Sequence, residues 1–190
     1  MVRKRNRNKV LGVDMSLNGT AICFPSGTAS VLHLNTNTKN VSKGPDRLFR
    51  ILEWLQSFDY DGITHVCWED YAYGTKGQPF SKGELGGIIK LFYLSMGLPI
   101  IAPSPATLKK YITGKGNADK SQMQQAVLDR WGYWYEDDNE ADAFALCKFG
   151  AMWLGEVNKD DISTEINDLL DKTLYYGVTD RMQTFAFIPE

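Results

Sequence analysis

Three acidic residues stand where they could do chemistry. Asp14 ends the apolar run Val10-Leu11-Gly12-Val13, Glu69 follows the apolar stretch Ile63 to Trp68, and Asp142 lies near the start of a helix-patterned segment. Between the last two sits Gly114-Lys115-Gly116-Asn117-Ala118-Asp119-Lys120, a glycine-rich basic turn that opens a helix. Carboxylates are ligands for hard divalent cations. A lysine at a helix N-terminus opposes the helix dipole unless an anion is near, and phosphate is the obvious anion. Acid, acid, lysine turn, acid is thus an order suited to metal-dependent phosphodiester hydrolysis. Singly the residues say less. A strand-end aspartate is often only a turn-maker, and an aspartate near a helix N-terminus is favoured by the dipole alone.

The elements that must position these groups follow from periodicity. Lys9 to Asp14 reads as a buried strand; Asn18-Gly19 is a turn signal, and Thr20 to Phe24 and Ser30 to Leu34 read as two more strands. Gly44-Pro45 opens a helix carrying Leu48, Ile51, Leu52 and Leu55, and Ile63 to Trp68 is a strand that delivers Glu69. Tyr71 to Phe80 reads as a loop, Ser81 to Met96 as a helix, and Pro99 to Pro103 as a short strand bounded by prolines. Pro105 starts a helix to about Thr113, Asn117 or Asp119 caps the next one to Trp131, and Asn139 to Leu154 is the closing helix. A three-strand meander followed by helix, strand, helix, strand and helices is the order of an α/β ribonuclease-H-like fold, a mixed five-stranded sheet flanked by helices. Three regions are expected: a basic arm over residues 1–8, the sheet domain over 9–155, and a C-terminal appendage over 156–190, acidic and then aromatic, ending in a hairpin.

At 190 residues and 43% hydrophobic, the chain can bury one good core. No apolar run is long enough to span a bilayer and no signal-peptide core follows the basic start, so a cytoplasmic protein with no membrane partner is expected. Cys23, Cys67 and Cys147 are widely spaced within apolar runs and read as buried reduced thiols. The net charge of -2 hides an uneven distribution, with cations in Arg3, Lys4, Arg5 and Arg7 and in Lys109, Lys110, Lys115 and Lys120. Such clusters suit a phosphate backbone, and Tyr71, Tyr73 and Phe80 could stack on exposed bases.

Several stretches together resemble the RuvC family of Holliday junction resolvases, in particular its phage-encoded branch. They are Val10 to Asp14, Cys67-Trp68-Glu69, Gly83-Glu84-Leu85-Gly86-Gly87, Pro105 to Gln122 and Asn139 to Ala145. The resemblance implies a homodimeric endonuclease that nicks four-way and other branched DNA with two Mg2+ ions per site, Mn2+ substituting. It assigns Asp14, Glu69 and Asp142 as catalytic metal ligands, and Lys109 and Lys120 as the family's two important lysines. Lys120 would stabilise the scissile phosphate, while Lys109, Lys110, Lys115, Arg3, Lys4, Arg5, Tyr71 and Tyr73 would hold DNA. The family's fourth acidic position falls on Asn139, whose carbonyl can ligate a cation but brings no charge; Asp138 or Glu140 would need a rotated helix start to replace it. The family's aromatic three residues after Glu69 is Ala72 here. The Ser81 to Met96 helix, with Gly86, Gly87, Leu91 and Phe92, is the expected dimer face. Two rivals remain: a non-catalytic junction-binding protein of the same fold, and an actin- or sugar-kinase-like nucleotide-binding domain.

Overall fold

The computed structural model describes residues 9–34, 44–70, 79–155 and 169–179. Its strands are β1 (Val10–Asp14), β2 (Gly19–Cys23), β3 (Ala29–His33), β4 (His65–Trp68), β5 (Ile100–Ala102) and β6 (Leu174–Tyr176). Its helices are α1 (Pro45–Gln56), α2 (Pro79–Ser95), α3 (Pro105–Thr113), α4 (Lys120–Trp131) and α5 (Asp138–Trp153). The strand order is β3-β2-β1-β4-β5-β6. β1 pairs antiparallel with β2 but parallel with β4, and β4 is parallel to β5. The chain therefore reverses direction of growth at β1, and the C-terminal ends of β1 and β4 lie side by side at that switch point, where open α/β sheets carry their sites.

Side chains alternate across a strand, so the sheet has two dressed faces. Val10, Ala21, Cys23, Cys67 and Ile101 pack with α3, α4 and α5, while Leu11, Val13, Ile22, Val66, Trp68 and Ile100 pack with α1 and α2. α5 lies directly on the central strands because two glycines permit it. A Cβ added to Gly12 would stand 1.8 Å from the Ala143 carbonyl oxygen, and one on Gly150 would meet Val10 and Cys67 at 2.6 and 2.8 Å. Ala143, Leu146, Cys147 and Gly150 belong to this buried face of α5.

α3 and α4 form a hairpin with orderly ends. Ser104 caps α3, Gly114 closes it in the left-handed conformation, and Asp119 caps α4 in a reciprocal capping box with Gln122. Arg130 then reaches back from the end of α4 to the Tyr111 and Ile112 carbonyls at 2.6 and 3.1 Å, satisfying acceptors at the end of α3.

The structure departs from the sequence reading in several places. The sheet has six strands rather than five, because Leu174–Tyr176 of the appendage adds antiparallel to β5. An exposed sheet edge favours such an addition, and Lys90 helps hold it, its Nζ 4.5 Å from the ring centres of both Trp68 and Tyr176. α2 begins at Pro79, so Phe80 belongs to a helix and not to a loop. α5 begins at Asp138 with Asp137 as its cap. Of the four residues expected at a dimer face, Gly86 and Phe92 are buried in this chain's own core, and only Gly87 and Leu91 face outward. Residues 1–8, with Arg3, Lys4 and Arg5, lie outside the described residues, as do Tyr71, Tyr73, the acidic segment 156–168 and the second arm of the expected hairpin. All three cysteines are buried free thiols, and no described helix is long and apolar enough to cross a membrane.

Candidate active site

Asp14 is the last residue of β1, and Glu69 follows the last residue of β4. The parallel register sets Val13 beside Trp68, which brings Asp14 and Glu69 to adjacent positions at one edge. Strand parity puts Asp14 on the same face as Val10 and Gly12, and Glu69 on the same face as Cys67; that face is covered by α5. Asp142 lies in the first turns of α5, next to Ala143, whose carbonyl sits over Gly12. Two strand ends and one helix start thus bring three carboxyl groups within electrostatic reach of one another.

Their electrostatics agree with that placement. Burial raises the Asp14 carboxyl well above its ordinary value, and the charges of Asp142 and Glu69 raise it further while Lys120 opposes them. Glu69 is raised from 4.5 to about 7, first by burial and then by Asp142, against Lys109 and Lys82. Asp142 is raised from 3.8 to about 6 by burial, with Lys120 and Lys109 pulling it down. All three keep some exposure, so a ligand can reach them.

Lys120 does not stand free in front of this cluster. Its ammonium is paired with Asp138, at the first residue of α5. Asp138 is therefore engaged by the lysine. Lys109, on α3, acts on both Glu69 and Asp142. Lys110 is half-buried near the end of α3 and Lys115 is exposed in the turn that follows. Lys82, in the first turn of α2, was not legible as a site residue, because only the return of α2 to the end of β4 brings it near Glu69.

Asn139 is held by Asp137. Asp137 Oδ1 accepts the Asn139 backbone N–H and its side-chain Nδ2, each at 2.8 Å, and Asp137 Oδ2 lies 2.8 Å from His33 Nε2. Burial pushes the Asp137 carboxyl up, but the Asn139 hydrogen bonds and the His33 ring outweigh it and hold it below its usual value. The sequence signal for Asp137 was present, since Asp two residues before Asn139 is a good helix cap; nothing in the sequence ties His33 to it.

The donor set fits a hard divalent cation. It consists of carboxyl oxygens whose ionised forms disfavour one another, and a cation would relieve that repulsion. Among the described residues, no three His, Cys, Asp or Glu side chains already converge as a ready-made ion site, so the fit lies in donor type and shared electrostatics.

No protein-family model matches the chain. Curated relatives do. A crossover junction endodeoxyribonuclease RuvC of Desulfitobacterium hafniense is 28% identical over 106 residues, covering 54% of this chain and 64% of the relative, so the chain spans less than two thirds of that protein's length. The RuvC of Brucella anthropi is 24% identical over 148 residues, 73% of this chain and 86% of the relative. Among solved structures, Thermus thermophilus RuvC superposes with a TM-score of 0.61 at 17% identity, over 78% of this chain and 96% of that one. The T. thermophilus RuvC in complex with a Holliday junction substrate gives 0.55 at 22% identity, over 74% and 90%. The chain is a distant homologue of the RuvC crossover junction endodeoxyribonucleases and carries their ribonuclease-H-like fold.

Proposed function

We propose that this chain is a structure-selective endodeoxyribonuclease of the phage-type branch, cutting four-way and other branched DNA by metal-dependent hydrolysis as a homodimer. The observation that carries the reading is the meeting of Asp14, Glu69 and Asp142 at the switch point of the sheet, with Lys82, Lys109 and Lys120 around them. The names of the relatives, and the junction bound to one solved neighbour, favour branched DNA over other phosphodiesters.

Asp14, Glu69 and Asp142, with the Asn139 carbonyl oxygen, would hold Mg2+ or Mn2+, two ions per site. Bound there, such ions supply an activated water and neutralise charge on the scissile phosphate and the leaving oxygen. The chain's own groups do the rest. An incoming DNA phosphate displaces Asp138 from Lys120, whose ammonium then faces the scissile phosphate and stabilises charge as it develops. Lys109 spans Glu69 and Asp142 and limits their mutual repulsion before DNA arrives. Lys110, Lys115, Arg3, Lys4 and Arg5 hold backbone phosphates, and Tyr71 and Tyr73 stack on exposed bases. A second copy would pack on the outward face of α2, where Leu91 is exposed and Gly83 and Gly87 have open space above them.

A non-catalytic junction binder of the same fold is the second reading. Asn139 in place of an acid, and Lys120 held by Asp138, favour it. Labelled four-way junction, fork and duplex DNA, incubated with wild-type and Asp14→Asn protein in Mg2+ and in Mn2+, separate the two. Paired nicks in the junction with wild type alone are expected. Intact junction in both metals, with a retained gel shift, would establish the binder instead.

A further inference from the structure

We infer that His33 and Asp137 are positioning residues that turn the Asn139 carboxamide so that its carbonyl oxygen, not its NH2 group, is offered to the carboxylate cluster. The inference rests on the metal-dependent reading above and deepens it at one ligand.

Ionised carboxylates only accept hydrogen bonds, so the Asn139 atom facing Asp137 Oδ1 at 2.8 Å must be the amide nitrogen. A carboxamide is planar, and fixing its nitrogen on one side directs its oxygen to the other. The backbone N–H of Asn139 donates to the same Oδ1, so the cap that starts α5 also sets this side chain. Asp137 is in turn held through its second oxygen by His33 Nε2, from the end of β3. Gly19, the cross-strand partner of His33, leaves the room: a Cβ there would stand 3.0 Å from Asn139 Nδ2 and 3.5 Å from His33 Nδ1. A hairpin end, a helix cap and a missing side chain therefore combine to define one orientation of one amide. Asn139 lies one helical turn before Asp142, so its side chain and that of Asp142 share one face of α5.

The arrangement has a consequence for charge. Asp137 keeps a negative group beside the neutral ligand, and its charge is felt at Asp14. An acid at position 139 would face Asp137 across the present 2.8 Å contact, with a repulsion replacing a hydrogen bond. Asn139→Asp is then no simple gain; it becomes one only when Asp137 is neutralised.

The test is titration calorimetry of Mn2+ into the full chain without DNA. The proteins are wild type, Asp14→Asn, His33→Ala, Asp137→Asn, Asn139→Asp and the Asp137→Asn/Asn139→Asp double variant. Asn caps a helix as well as Asp, so Asp137→Asn keeps the helix start, and thermal melts check each fold. Asn139→Asp alone should not tighten Mn2+ binding, whereas the double variant should bind about tenfold tighter than Asn139→Asp, a coupling of the size seen for contacting residues. His33→Ala should weaken binding several-fold with little change in melting temperature. Asn139→Asp gaining the same factor in both backgrounds, with Asp14→Asn still abolishing binding, overturns this inference alone. Asp14→Asn binding Mn2+ as well as wild type overturns the metal site and the inference with it.

Discussion

Burying Asp14, Glu69 and Asp142, with mutual repulsion adding to the effect on Asp14 and Glu69, makes the metal-free protein sensitive to pH in a definite direction. A carboxyl whose value is raised by folding keeps its proton in the fold at pH values where the unfolded chain has lost it, so stability falls as pH rises. The window runs from the ordinary values near 4 up to about 7 for Glu69 and about 6 for Asp142, with Asp14 shifted the same way. In EDTA, the melting temperature should therefore drop between pH 5 and pH 8. Glu69→Gln should flatten part of that drop and stabilise the protein at pH 8, by at most about 3 kcal/mol if the whole shift is realised. A wild-type profile that is flat or rises would contradict the burial of these acids. With Mg2+ and junction DNA, Asp14→Asn, Glu69→Gln and Asp142→Asn should each slow cleavage by about 100-fold or more while a gel shift persists, since phosphate contacts dominate affinity. Lys120→Ala should lower kcat more than it raises KM, as expected for a contact made in the transition state. The acids and Lys120 could be picked out as candidates because they follow apolar runs or lie near helix starts. Lys82 and His33 were not picked out, since their placement comes from which elements meet in space, and Asp137 was missed although its capping position before Asn139 was a local signal.

The elements were read largely from periodicity and turn residues, and the misses lie at their ends. α5 starts one residue earlier than Asn139 because Asp137, not a later residue, is its cap and accepts the orphan Asn139 N–H. β6 was read as half of a separate hairpin because an aromatic strand pattern cannot say which edge it will join. The close seating of α5 on β1 gives the sharpest test at this scale. Gly12→Ala would drive a methyl into the Ala143 carbonyl, and relief requires moving α5 and Asp142 with it. A cost of about 3 kcal/mol is expected, which lowers the melting temperature of a chain this size by about 6–12 °C. Cleavage should fall even where the variant stays folded. An unperturbed melt and rate would mean that α5 lies farther from the sheet.

At the scale of the whole molecule, the described part of the appendage, residues 169–179, joins the sheet through β6. β6 covers the β5 edge, Tyr175 stacks on Trp153 with ring centres 5.3 Å apart, and Tyr176 closes over Lys90. Deleting residues 169–190 should therefore lower the melting temperature by several degrees and expose a sheet edge that promotes self-association, measured by light scattering. The carboxylates lie at the switch point, at the ends of β1 and β4 and the start of α5, and none is on β5 or β6, so cleavage at low temperature should survive. A truncated chain with an unchanged melt that no longer binds junctions would make the appendage a DNA-contact element.

The direct seating of α5 on β1 also dictates timing. Gly12 and Ala143 touch, yet well over a hundred residues are synthesised between them. At about 5–20 residues per second, a ribosome needs on the order of ten seconds to make that stretch. During that interval the first strands have no helix over one face, and Asp14 waits without Asp142. The nascent chain thus exposes that apolar face until α5 is made, and only then can Asp142 join Asp14.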